Sequence, residues 1–224
     1  MYNRYKGQYV DWGFILRYVP MYRDAALLTL GIGSLGILFS LAVGLVSGLL
    51  LYYKPPVLWR VAAVYVELSR NTPLLVQLFF LYFGLPKIGI VIPSGICAVV
   101  GLTFLGGGYM AEAFRSGFEA VETIQYESAL SLGFTKLGAM RHVIFAQAFV
   151  MSLPAVLANI IFLIKETSVF SVLAIADLMY VAKDLIGLYY NTGEALFMLV
   201  VFYLLILLPV SLFASVLEKR LRYG

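Results

Sequence analysis

The stretch Glu112-Ala-Phe-Arg115-Ser-Gly117-Phe-Glu119-Ala-Val-Glu122-Thr-Ile-Gln-Tyr-Glu127-Ser-Ala129-Leu-Ser-Leu-Gly133-Phe-Thr-Lys136-Leu-Gly-Ala-Met-Arg141-His142 decides how this chain folds. It gathers four acids, three bases and one histidine. Its surroundings are nearly bare of charge. Asp24 to Lys54, Arg70 to Lys87, Lys87 to Glu112, His142 to Lys165 and Glu194 to Glu218 each enclose a long run without acidic or basic residues. A charged segment flanked by such runs is an aqueous loop between membrane spans.

Composition agrees. The 224-residue chain is 62% hydrophobic, against about 45–50% for soluble domains on a broader count. About 20 apolar residues cross the roughly 30 Å hydrocarbon layer. Continuous runs of that length exclude a β-barrel, whose strands alternate over about ten residues. Lipid offers no partner to an unpaired backbone group, so the expectation is an all-α integral membrane protein. The formal charge of +4 comes from scattered bases, which argues against nucleic acid binding. The single Cys97 offers no disulfide, metal set or redox pair. No catalytic, metal or phosphate-loop motif is present, so no ATP hydrolysis is expected from this chain.

Working outward, five transmembrane helices are expected. Residues 1–20 form an interfacial arm in which Trp12, Phe14 and Tyr18 stand among Arg4, Lys6 and Arg17. The arm lacks a compact apolar core and small-residue cleavage site, so the first span is expected to act as an uncleaved insertion signal. The transmembrane region covers 21–217. Helix one runs from Met21 to Tyr53, with Gly44 and Gly48 offering bare patches for close contact. Lys54-Pro55-Pro56 ends it. Helix two covers Val57 to Leu85, and Pro73 should bend or restart it. Glu67 and Arg70, three apart, can pair on one face. Helix three spans Ser94 to Phe114, with Gly106-Gly107-Gly108 as a soft point. Helix four runs from Ile144 to Ile164, interrupted by Pro154. Ser171 to Tyr190 reads as less regular, lining a partly buried vestibule. Helix five runs from Gly193 to Leu217, followed by a basic tail over 218–224.

Between helices three and four, 119–141 should form short helices around Gly133, which supplies a left-handed cap or a close approach. The distribution of Lys and Arg places this loop and the C-terminus in the cytoplasm.

The Glu127-Ser-Ala129-Leu-Ser-Leu-Gly133 pattern resembles the coupling motif of membrane permeases of bacterial ABC importers, in the polar amino acid branch. Three further stretches match that family: Glu67-Leu-Ser-Arg70-Asn-Thr-Pro73-Leu-Leu-Val-Gln77, Tyr109-Met-Ala-Glu112-Ala-Phe-Arg115-Ser-Gly117, and Leu163-Ile-Lys165-Glu166-Thr-Ser168. Departures are Ser128 for the middle alanine, Ile124 and Asn71 for common glycines, and Ala146 for an expected proline. Without that proline, helix four should enter the membrane straighter.

The resemblance implies an ATP-driven importer in the bacterial plasma (inner) membrane, with no cofactor on this chain. ATP and Mg would sit on two cytoplasmic ATP-binding subunits. A second permease subunit, identical or homologous, and an extracytoplasmic solute-binding protein complete the assembly. Glu127, Ala129, Gly133, Lys136 and Arg141 are the expected ATPase-coupling residues. Glu67, Arg70, Glu112 and Arg115 are the expected structural brace.

Asn159, Lys165 and Glu166 are the candidate substrate-cavity residues, because intramembrane charges default to cavities or partners. An amino acid carries an ammonium and a carboxylate, matched by one acid, one base and neutral amides. The competing reading has Lys165 and Glu166 snorkelling to headgroups at the membrane edge. The competing functions are a non-transporting scaffold for a cytosolic partner and an ion-coupled secondary carrier.

Overall fold

The computed structural model describes residues 10–223, with side chains through Arg220. The expected anchors Arg4 and Lys6 lie outside that range. Helix α1 runs from Trp12 to Tyr53, starting ahead of the expected Met21. Pro20 does not set the boundary, because Asp11 caps the helix by accepting from the Phe14 amide at 3.0 Å. The early turns are also held by a ring cluster, with Phe14 and Tyr18 at 4.6 Å and Tyr189 within 5.9 Å of both. At the other end Lys54 turns left-handed (φ 51°) before the two prolines.

Helix two is broken. Helix α2 (Leu58–Arg70) stops at Asn71 and α3 (Leu74–Phe79) restarts behind Pro73. A π-helical turn (Phe80–Gly84) and a 3-10 turn (Leu85–Ile88) continue it. The buried Gln77 closes the break, donating to the carbonyls of Ser69 and Thr72 at 3.1 and 3.0 Å. The expected Glu67–Arg70 pair is absent. Glu67 instead accepts from the Asn71 amide at 2.9 Å, and Arg70 reaches across to another helix.

Helix α4 (Ser94–Glu119) runs through Gly106–Gly108 without a break. Each glycine faces a different neighbour: Ser40 of α1, Tyr65 of α2 and Ser69 of α2 lie where a Cβ would stand. The triplet is a close-packing device rather than a soft point. The same holds for α1, where Gly44 backs onto Met110 and Gly48 onto Ala111 and Phe114. Lipid is as apolar as leucine, so tight contact of small residues is what holds such helices together.

Helices α5 (Thr123–Ser131) and α6 (Lys136–Ala139) follow. A π-helical turn (Met140–Ile144) joins α6 to α7 (Phe145–Glu166). The chain is thus helical from Lys136 to Glu166, and the expected start at Ile144 is too late. Ala146 leaves no proline there to interrupt it, and the expected interruption at Pro154 is absent, since α7 continues through that residue. A 3-10 segment (Thr167–Leu173) leads to α8 (Leu178–Tyr189). Helix α8 is regular, contrary to expectation. Its buried Leu178, Val181, Ala182 and Leu185 form one helical stripe, while Lys183 and Asp184 lie off that stripe. Helix α9 (Thr192–Tyr223) carries helical structure through the tail.

Two packing centres result. One joins α3, α4, α7 and the 3-10 segment around Leu78, Leu102, Leu163 and Phe170. The other joins the first half of α1 to α8 and α9 around Tyr22, Leu178 and Met198. Tyr22 donates to the Ala195 carbonyl at 2.7 Å, setting the start of α9 beside the start of α1. Among the described residues, four segments are long and apolar enough to cross a membrane: Trp12–Tyr53, Ser94–Glu119, Lys136–Leu173 and Thr192–Arg220. The fifth expected span falls on the broken α2–α3 pair, whose apolar part, Leu74–Ile88, is shorter than those four.

Candidate functional site

Two features stand apart from simple packing: a knob at one end of the bundle and a cleft midway along it. The knob is α5 and α6 with the turn between them. Gly133 adopts φ 87°, its amide donates to Leu130, and the Phe134 amide donates to Ala129. That pair of bonds is a Schellman cap, which needs a left-handed residue after the helix. No atom lies within 4 Å of where a Gly133 Cβ would stand, so conformation alone selects glycine here. Thr135 caps α6 by accepting from the Gly138 amide at 3.1 Å.

Ala129 and Ala139 are buried and root the knob, while Glu127, Lys136 and Arg141 are exposed. Gln147 donates to Gln125 at 3.3 Å, tying α7 to α5. Sequence reasoning overlooked the apolar tip: Leu132 is 80% exposed and Leu137 78%, with Ile124 and Phe134 also exposed. The signal was available as large apolar residues inside a polar loop. Exposed apolar groups rimmed by charge mark a surface for a protein partner or a membrane.

Above the knob, charges form a ladder along α4. Arg115 donates to Glu119 at 2.8 Å and to Glu112 at 2.6 Å. Glu112 also faces Arg70 of α2 at 3.9 Å, and the Arg70 guanidinium lies 5.5 Å from the Tyr109 ring centroid. Three of the expected brace residues therefore meet, and Glu67 does not join them. Half-exposed pairs of this kind contribute about 0.2–1 kcal/mol each.

The cleft opens where α2 breaks. It measures about 380 Å³ and is walled by Arg70, Asn71 and Thr72 on one side and Tyr109, Phe162 and Glu166 on the other. Of the three expected cavity residues, only Glu166 is present. Asn159 instead donates to the Tyr109 carbonyl at 3.1 Å, pinning α7 to α4. Lys165 is exposed and outside the cleft. An acid, a base, an amide and a hydroxyl nonetheless converge there, contributed by residues whose sequence spacing gave no hint of the meeting. Thr167, next to Glu166, packs at Gly33, about midway along α1.

Several long apolar helices, a cleft with Arg70 and Glu166 in its walls midway along the bundle and an exposed knob at one end are features of a membrane transport component. Residues 24–223 match the family described as the binding-protein-dependent transport system inner membrane component, and the chain belongs to it. It is 32% identical over 214 residues to the glutamine transport system permease protein GlnP of Escherichia coli (strain K12), covering 95% of this chain and 98% of that one. It is 36% identical over 176 residues to the probable amino-acid ABC transporter permease protein PatM of Vibrio harveyi, covering 77% and 79%. A crystal structure of an amino acid ABC transporter with histidines superposes with TM-score 0.86 at 33% identity, over 95% of this chain and 100% of that one. The methionine transporter MetNI shares the fold at TM-score 0.71 and 19% identity.

Proposed function

We propose that this chain is the permease subunit of an ATP-driven importer for a polar amino acid. The observation that carries the reading is the knob, a rigidly capped helical turn presenting Leu132, Phe134 and Leu137 to water. Such a tip seats in a cleft of a cytoplasmic ATPase subunit, with Glu127, Lys136 and Arg141 at the rim. Helices α1, α4 and α9 run in one direction, so the knob and the C-terminus emerge at the same end. Lys54, Arg60 and the basic tail cluster there too, which supports a cytoplasmic placement.

The cleft is the proposed cargo site. Arg70 suits a carboxylate, Glu166 suits an ammonium, and Tyr109 and Phe162 flank the side chain. Broken helices near mid-depth are a recurring way to build such sites. Lys165, exposed at the level of Gly33, is far from either end of α1, which favours a translocation path or second permease subunit over edge anchoring. ATP binding by the partners moves the knob, and alternating access follows as a shift between inward- and outward-open populations.

The test is reconstitution with an ATPase subunit and a solute-binding protein. Solute accumulation should require ATP and ignore proton or sodium gradients. Gly133→Asp should insert normally yet abolish stimulation of ATPase activity by loaded binding protein. Normal stimulation in that variant removes the knob from the mechanism. Gradient-driven uptake without ATP would favour a secondary carrier instead.

A further inference from the structure

Helix α1 ends in an elbow, Lys54-Pro55-Pro56-Val57, that turns the chain back into α2. Two residues of positive φ bracket the prolines, Lys54 at 51° and Val57 at 67°. Around Val57 (ψ −54°) the Leu58 amide donates to the Pro56 carbonyl at 2.8 Å, which makes a γ-turn of the rare, strained kind. A β-branched side chain suits that backbone poorly, and strain of this sort clusters at functional sites. The elbow turns outward Val57, 70% exposed, together with Leu58, Lys54 and Arg60. Among the described residues, no carboxylate pairs with either base.

The elbow reaches past the membrane edge. Gly44 of α1 backs onto Met110 of α4 and the two helices run the same way, so equal steps bring Lys54 level with Ala120, where α4 ends. That is about 12 Å beyond Glu112, the first charge of the α4 ladder. The Tyr22–Ala195 bond gives a second register. It sets Lys54 about 13 Å beyond Glu218, where the uncharged run of α9 stops. Headgroups occupy only about 5–8 Å on each side of the hydrocarbon. The elbow is also fastened to the knob: Tyr52 meets Phe118 ring to ring at 5.2 Å, and both belong to a cluster with Tyr126 of α5 and Met140 at the knob's root.

We propose that this elbow is a second contact for the cytoplasmic ATPase subunit, beside the knob, in which Lys54 and Arg60 meet an acidic patch of that subunit. Exposed apolar groups mark a protein or membrane contact, and the depth of Val57 and Leu58 beyond the headgroups selects protein. The protein that grips the adjoining knob is the one within reach. Two unpaired bases at the rim then add steering and specificity to its binding. The contact rests on the reading of this chain as the permease of an ATP-driven importer, and its test separates the two.

The full chain would be placed in nanodiscs of phosphatidylcholine, which carries no net charge, and its affinity for the ATPase subunit measured over a range of salt. Lys54→Gln with Arg60→Gln changes only exposed side chains. It should weaken binding several-fold at low salt, with the difference from the parent fading at high salt. A benzophenone attached at Val57→Cys should photocross-link the ATPase subunit, the native Cys97 being buried. One attached at Val91→Cys, 79% exposed at the opposite end of α4, should not. Unchanged affinity in the Gln pair, while Gly133→Asp still uncouples ATPase stimulation, overturns the elbow contact alone. Cross-links from Val57→Cys that go only to lipid or to a second permease chain also overturn it. A parent chain that binds no ATPase subunit overturns both readings.

Discussion

Asp177 shows how one buried group can govern pH response. It is fully buried between the third and fourth apolar spans. Its Oδ1 accepts from the Tyr180 amide at 2.8 Å, capping α8, while Oδ2 has no partner. Burial pushes its carboxyl up to about 7, against the pull of the Tyr180 and Met179 amides and Lys183. An acid raised in this way keeps its proton when folded, over a range where the unfolded chain has lost it. Its effect on stability is therefore absent below about pH 4 and grows as pH rises toward about 7, always as a loss. The full shift corresponds to roughly 4 kcal/mol. Asp177→Asn retains an oxygen for the Tyr180 amide and carries no charge. We expect it to raise the unfolding temperature by several degrees at about pH 8, with the gain fading toward about pH 4. A gain that ignores pH in thermal melts would mean the carboxylate is not the cause.

At the scale of elements, the decisive feature is how closely α1 and α4 approach. A side chain at Gly44 would collide with Met110, whereas Gly31 faces nothing within 4 Å. Overpacking a tight contact typically costs about 1–3 kcal/mol. Gly44→Leu should thus reduce folded yield and lower the unfolding temperature in detergent, and Gly31→Leu should do neither; equal behaviour of the two would refute the close contact. Spacing alone marked Gly44 and Gly48 for contact, and the structure agrees. It could not reveal that Gly106, Gly107 and Gly108 serve three different neighbours, because that depends on where α1, α2 and α7 come to lie. The stripe of α8 was legible in its periodicity but was obscured by Lys183 and Asp184. The restart at Pro73 and the cap at Gly133 could be read locally, since proline and glycine act through their own backbone. Arg70 could not: its nearest acid in sequence is Glu67, yet its partner Glu112 lies on another helix.

For the whole molecule, the proposed cargo cleft carries two charges that differ in how far they are already engaged. Arg70 is already shared with Glu112, whereas Glu166 has no ion pair among the described residues. Removing its charge should weaken capture of an ammonium without disturbing the fold. Glu166→Gln is expected to lower transport in proteoliposomes about tenfold or more, the scale of one lost charge-assisted contact. Stimulation of ATPase activity by loaded binding protein should survive. Loss of both together would place Glu166 in the coupling machinery rather than at the cargo.

The unbroken helix from Lys136 to Glu166 has a consequence of its own. At 1.5 Å per residue it extends about 45 Å, with its foot in the knob, its head in the cleft wall, and a π-helical turn (Met140–Ile144) and Pro154 along its length. A helix continuous through both features transmits in both directions. If nucleotide closure at the foot tilts the head, a solute lodged against Glu166 must bias the foot by the same free energy, since linkage between two sites is reciprocal. The cargo would then report its own arrival to the engine through a single piece of backbone.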